Sequence, residues 1–200
     1  MISISRISIN RGETLVLQDF SATILERQAT LLSGPNGSGK TSLIQAIAGT
    51  LPISTGEISI DGANPFLAKA LDLAKLRSVA PQRRTFSLAF SVAEVIDFIP
   101  VKERADHWEN TLELLGLKQF LNKKVTELSI GQQQRVSLSL SLLQESKFYL
   151  LDEPFSAQDS EYQIRILQLI DELRKEKGVL VVSHNTDSLH SHFDQELHIS

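Results

Sequence analysis

Cysteine is absent from the 200-residue chain, which excludes disulfide scaffolds, zinc ribbons and thiol catalysis. The absence also fits a reducing compartment. There is no basic excess either. Lys and Arg number 20 against 24 Asp and Glu, a formal charge of −4, which argues against nonspecific nucleic-acid binding. Apolar runs such as 148–151 and 179–182 are short, whereas a membrane span needs roughly 20 apolar residues. If the chain serves a membrane process, another chain supplies the membrane part. The opening Met1-Ile2-Ser3-Ile4-Ser5-Arg6 alternates rather than running apolar, and does not read as a signal peptide. Internal repeats and low-complexity segments are missing as well.

What is present is a hydrophobic fraction of 42%, ample for a core without staples or metals. The length predicts one domain with room for an inserted lobe, at about 150 residues per domain. Isoleucines at 2, 4, 7 and 9 alternate with polar residues and predict a half-buried strand. A second strand is expected over 15–24, and 29–33 is a short apolar run entering a glycine-rich segment. Leu43, Ile44, Ile47 and Ala48 have helical spacing, with Gly49 as a stop. The stretch 57–60 reads as a strand entering the Asp61-Gly62 turn. From 67 to 129 the pattern is mostly helical, with apolar faces at 92–98, 108–115 and 118–121 and breaks at Pro100 and Gly116. Then come a helix over 131–143, a buried strand over 148–151, a helix over 162–175 and a buried strand over 179–183. Short apolar strands alternating with helices predict an α/β fold around a mostly parallel sheet covered on both faces.

Gly34-Pro35-Asn36-Gly37-Ser38-Gly39-Lys40-Thr41 fits G-x-x-x-x-G-K-[ST], with an expected strand before it and a helix after it. Glycines let backbone N–H groups close around phosphate oxygens, and the following helix adds its positive dipole end. Lys40 is placed to reach the β and γ phosphates, and the Thr41 hydroxyl to ligate Mg²⁺. Downstream, Phe148-Tyr149-Leu150-Leu151-Asp152-Glu153 is an apolar strand ending in two carboxylates, at the sheet edge where open α/β folds bind ligands. Asp152 suits Mg²⁺. Glu153 suits a general base that polarises the water attacking the γ phosphate.

Leu128-Ser129-Ile130-Gly131-Gln132-Gln133-Gln134-Arg135 resembles the LSGGQ signature of the ATP-binding cassette (ABC) ATPases. Gln82, in Val79-Ala80-Pro81-Gln82, is similar to that family's Q-loop, a catalytic and metal-facing position. Ser156-Ala157-Gln158-Asp159 resembles the D-loop, and His184, after Val181-Val182-Ser183, the switch histidine. The resemblance covers nearly the whole chain. It implies a RecA-like P-loop NTPase core (1–66 and 131–200), with an N-terminal antiparallel β subdomain and an inserted α-helical lobe carrying the Q-loop (about 67–130). It also implies ATP and Mg²⁺ as cofactors, with a nucleotide site built from 34–41 and Ser42. A head-to-tail dimer would complete that site with the partner's Ser129, Gly131, Gln132 and Asp159. Ser129 and the Gly131 N–H open a helix, an anion site with no phosphate left for it in its own chain. Through the resemblance, His184 contacts the γ phosphate or orients the attacking water.

Three positions depart from the family pattern. Ile130 stands where the signature's first glycine is usual, and Gln158 replaces the common D-loop leucine. Arg11 falls where an aromatic residue usually stacks on adenine. A guanidinium plane can also stack on a base, but a solvated turn residue is an equal reading.

Around the Q-loop, Val79-Ala80-Pro81-Gln82-Arg83-Arg84-Thr85 and Phe90-Ser91-Val92-Ala93-Glu94-Val95-Ile96 are similar to manganese and zinc uptake ATPases. The expected function is therefore an ATPase subunit powering a separate membrane permease for a divalent metal ion or metal chelate. An importer would add a substrate-binding protein, and the chain would sit at the cytoplasmic face. Arg11 and the short chain instead resemble haem-export ATPases of cytochrome c biogenesis, the runner-up. A soluble, non-transport ABC ATPase is a third reading, opposed by the lack of coiled-coil heptads and by the single cassette. His190, His192 and His198 read as an exposed tail rather than a metal cluster. Trp108, Leu112 and Leu115 read as lobe core, and Lys102-Glu103-Arg104 as a solvated loop.

Overall fold

The computed structural model describes residues 1–82, 86, 89–184 and 189–199. Its strands are β1 (Ile2–Arg11), β2 (Thr14–Ile24), β3 (Gln28–Ser33), β4 (Thr55–Ile60), β5 (Arg77–Ala80), β6 (Phe148–Asp152), β7 (Gly178–Val182) and β8 (Gln195–His198). Its α-helices are α1 (Lys40–Ile47), α2 (Ala70–Leu76), α3 (Val92–Ile96), α4 (Trp108–Leu114), α5 (Ile130–Leu143) and α6 (Ser160–Leu173). An antiparallel sheet has the order β2-β1-β4, and a parallel sheet the order β5-β6-β7-β3-β8.

The isoleucine pattern of β1 explains the first sheet. Ile2 and Ile4 keep period two, then the spacing to Ile7 gains a residue, which would flip every later side chain to the wrong face. The backbone absorbs the extra residue as a bulge between Ile4 and Ile7. Arg6 there takes a left-handed φ of 44°, and its N–H donates to Ser21 Oγ at 2.8 Å. All four isoleucines consequently stay buried.

In the parallel sheet the apolar runs are buried on both faces. Phe148 and Leu150 of β6 point with Leu180 and Val182 of β7 toward α1 and the antiparallel sheet. Tyr149 and Leu151 point with Val179 and Val181 toward α5, α6 and the segment between them and β5. Two cores thus sandwich one sheet. Central strands of this kind present their carboxyl ends as a fixed edge.

Two strands escaped the sequence reading. β5 lies inside the stretch read as mostly helical and pairs with β6, from Arg77 opposite Phe148 to Ala80 opposite Leu151. β8 pairs with β3, Ser33 standing opposite His198, so the expected tail is an edge strand. Arg104 is also corrected. Its side chain is 4% exposed, bonded to Asp97 and to the carbonyls of Ile96 and Ile99, and lies over the Trp108 ring. Leu112 and Leu115 are core residues, with Trp108 packed against them. No helix among the described residues is long and apolar enough to cross a membrane.

Candidate functional site

β3 delivers the chain into the loop 34–39, and α1 begins at Lys40. The loop needs its glycines. Gly34 has φ 146°, and a Cβ there would lie 2.2 Å from the carbonyl oxygen of Ile199. Gly39 has φ 98°, with Val16 O at 2.5 Å from the same hypothetical atom. Positive φ and close backbone approach together exclude other residues. Lys40 is 6% exposed, and its Nζ donates to Gly34 O at 2.7 Å and Pro35 O at 2.8 Å. An ammonium has three donors, so the loop's own carbonyls leave one unspent.

The loop forms one wall of a cleft of about 490 Å³. Arg11, Asn36, Gly37, Gly39, Lys40, Thr41, Ser42, Gln82, Asp152, Glu153 and His184 all line it. Residues from 11 to 184 thus converge, as the motifs imply. Gly34 and Pro35 serve through the carbonyls that hold Lys40, and Ser38 Oγ is buried without a partner among the described residues. Of the quoted Q-loop segment, Arg83, Arg84 and Thr85 lie outside the described residues.

β6 ends in Asp152, which is buried against Thr41. Burial pushes the Asp152 carboxyl above its usual range, partly offset by the Thr41 hydroxyl and Lys40, while the Glu153 charge adds to the rise. Asp152 Oδ1 has no hydrogen-bond partner among the described residues. An orphaned carboxylate oxygen beside a hydroxyl is an all-oxygen donor set that fits a small, hard divalent cation. Gln82 faces the same cleft.

Glu153 leaves the strand in a left-handed conformation, φ 53°, while its N–H still donates to Val182 O at 3.0 Å. Non-glycine residues are held in that region only where surroundings over-determine them, a common property of active sites. The turn aims a buried carboxylate at His184, whose Nδ1 lies 2.8 Å from Glu153 Oε1. His184 follows β7 and is half exposed. Among the described residues nothing occupies its second ring nitrogen.

Arg11 is an exposed residue whose guanidinium is held by two hydrogen bonds. Nε donates to Ser42 Oγ at 3.0 Å and Nη2 to Gln45 Oε1, both on α1. Gln45 escaped the sequence reading, although its i, i+3 spacing from Ser42 puts the two on one helix face.

Ser129, Gly131, Gln132 and Asp159 do not line the cleft. Ser129 caps α5 in a reciprocal box, its Oγ accepting from Gln132 N at 3.3 Å and its N–H donating to Gln132 Oε1 at 2.9 Å. Asp159 caps α6, accepting from Tyr162 N at 3.0 Å. Ile130, 79% exposed, stands at the opening of α5. From α5, Gln134 Nε2 donates to Gln82 O at 3.4 Å and so reaches the cleft directly. His190 and His192 each face a carboxylate, Glu196 and Asp171, and His198 faces Ser33 Oγ. No group of three metal-binding side chains forms among the described residues.

The family model "ABC transporter" matches residues 17–156. An uncharacterized ABC transporter ATP-binding protein, YvrA of Bacillus subtilis, is 34% identical over 183 residues, 86% of this chain and 41% of that protein. The chain therefore spans well under half of that relative. The zinc transport system ATP-binding protein TroB of Treponema pallidum is 33% identical over 196 residues, covering 91% of this chain and 71% of TroB. Among solved structures, a dimeric post-hydrolysis state of the ATP-binding cassette MJ0796 bound to ADP and Pi superposes with a TM-score of 0.86. It covers 100% of this chain and 94% of that one at 24% identity, a likeness of fold.

Asp152→Asn tests the cation-site geometry. Its ionised form is disfavoured by burial in the folded state, so charge there costs stability at neutral pH and the amide removes the cost. The variant is expected to melt a few degrees higher than wild type without nucleotide. The further stabilisation that ATP gains from added divalent cation should fall by about tenfold in apparent affinity, roughly 1.4 kcal/mol. A lower melting temperature with the cation effect intact would contradict the assignment.

Proposed function

The chain belongs to the ABC transporter family as an ATP-hydrolysing subunit, and on that premise we propose that it works as one half of a head-to-tail dimer docked on a separate membrane permease. The cargo we assign is a divalent metal ion or metal chelate, supported by the zinc transport relative and by the Q-loop resemblance. An importing system would add a substrate-binding protein. In this reading the chain acts at the cytoplasmic face, and the permease docks against the Gln82 loop and the helical segment between β5 and α5, the proposed lobe.

The observation that carries the reading is the Glu153–His184 pair set beside Asp152 and Thr41 in a single cleft. The loop amides and the Lys40 ammonium bind the β and γ phosphates. Ser42 and Gln45 hold Arg11 where the base enters. Thr41 and Asp152 would hold Mg²⁺, with Gln82 facing it, and the chemistry a bound Mg²⁺ supplies is neutralisation of β and γ phosphate charge. Glu153 takes a proton from water as the water oxygen bonds to the γ phosphorus. The bond from that phosphorus to the bridging oxygen breaks, leaving ADP and phosphate. His184 Nδ1 orients the Glu153 carboxylate, and the ring's other nitrogen faces the γ phosphate. Ser129, Gly131, Gln132 and Asp159 lie outside the cleft of their own chain. The anion site at the start of α5 therefore serves the nucleotide of the second chain, and closure of two such sites drives the permease.

Two experiments test this. Glu153→Gln keeps shape but removes the base, so turnover should fall by about 10²–10⁴ while ATP affinity by calorimetry stays near wild type. The variant should accumulate as an ATP-bound dimer on gel filtration. Wild-type hydrolysis in Glu153→Gln, with loss in His184→Ala alone, would move water activation to His184. For the docked permease, purification from detergent-solubilised membranes should bring down a multi-span protein in stoichiometric amount. Recovery with ribosomes or nucleic acid instead would refute transport.

A further inference from the structure

The turn that leaves β6 closes directly against the opening of α5. Ser156 N–H donates to Glu153 O at 3.1 Å, and Ala157 follows with φ 56°. The Ala157 carbonyl lies so near Gly131 that a Cβ on that glycine would be 2.6 Å from it. Gln158 then reaches across 27 residues of sequence, its Nε2 donating to Gly131 O at 3.2 Å and to Ser156 O at 3.4 Å. Gln163 Nε2 donates to the Gln158 carbonyl at 3.2 Å and steadies the same turn.

This bond is not needed to satisfy α5. The groups left unpaired at a helix N-terminus are its first N–H groups, whereas the Gly131 carbonyl is an acceptor within the helix ladder. What the amide adds is position. The leucine common at this place in the family has no donor to offer.

We propose that Gln158 is a positioning residue for ATP hydrolysis: its side-chain amide ties the first turn of α5 to the turn below Glu153. The anion-binding start of α5 and the water-activating carboxylate then keep one fixed separation within a chain. This rests on the shared-site reading above. In that arrangement each chain gives its α5 N-terminus to one nucleotide and its Glu153 to the other, so Gln158 couples the two nucleotide sites through a single polypeptide.

The test uses the full chain with Gln158→Leu and Gln158→Glu, which keep bulk or shape but lose the donor. Both should lower kcat by about fivefold to tenfold, the worth of one lost hydrogen bond in the closed site. The Hill coefficient for ATP should fall toward one. ATP affinity by calorimetry and the melting temperature should stay at wild-type values. Wild-type kcat and Hill coefficient in both variants would overturn the proposal. So would a loss of affinity or melting temperature that accounts for the whole loss of rate, since Gln158 would then only hold the fold. Ser129→Arg, measured in parallel, separates the two levels. If it is inactive while the Gln158 variants behave as wild type, only the Gln158 role fails; if it retains full turnover, the shared site fails and Gln158 with it.

Discussion

Everything in the site hangs from the carboxyl end of β6. The strand lies between β5 and β7 and is buried on both faces, so its last residue, Asp152, and the Glu153 that follows cannot move without disturbing two cores. Charge at that place is costly in the free protein, as the raised Asp152 carboxyl shows. The fold tolerates it because Lys40 and Thr41 come from the first turn of α1 and His184 from just beyond β7. A buried acid pair is thus held ready for partners that neutralise it, a preorganised field rather than a stabilising contact.

The same strand end organises the second half of the machinery. From Glu153 the chain turns through Ser156 and Ala157 and meets Gly131 at the head of α5. One short turn therefore connects Glu153, in the cleft and the proposed water-activating group, to the start of α5 outside it. In the proposed mechanism a single chain holds parts of two half-sites, one in the cleft and one outside it. That geometry makes dimerisation a requirement of the proposed chemistry, not an addition to it.

Local signals were legible in the sequence wherever local physics decides. The glycine spacing of 34–39, Ser129 at the opening of a helix and the apolar run ending in Asp152-Glu153 each specify their own backbone. Tertiary choices were not legible. β5 is only four residues, Arg-Ser-Val-Ala, and becomes a strand by pairing with β6. β8 has three polar residues in four and depends on β3. Arg104 reads as a solvated charge, yet two carbonyls, Asp97 and the face of Trp108 make it an interior residue. Arg11 left stacking and solvation evenly matched, because its anchors, Ser42 and Gln45, lie on a helix thirty residues away. Gln158 looked like a simple departure from a family pattern until the structure put Gly131 against it.

The shared site is the central claim, and mixing two inactive chains tests it most directly. Lys40→Ala disables the phosphate loop and Ser129→Arg the α5 N-terminus, so each variant alone is expected to lack ATPase activity. In a mixed dimer both lesions fall in one site, and the other site is wild type in both its parts. Mixing the purified variants should therefore restore ATP hydrolysis to a sizeable fraction of the wild-type rate. No recovery on mixing, with dimers confirmed by light scattering, would contradict a site built from two chains.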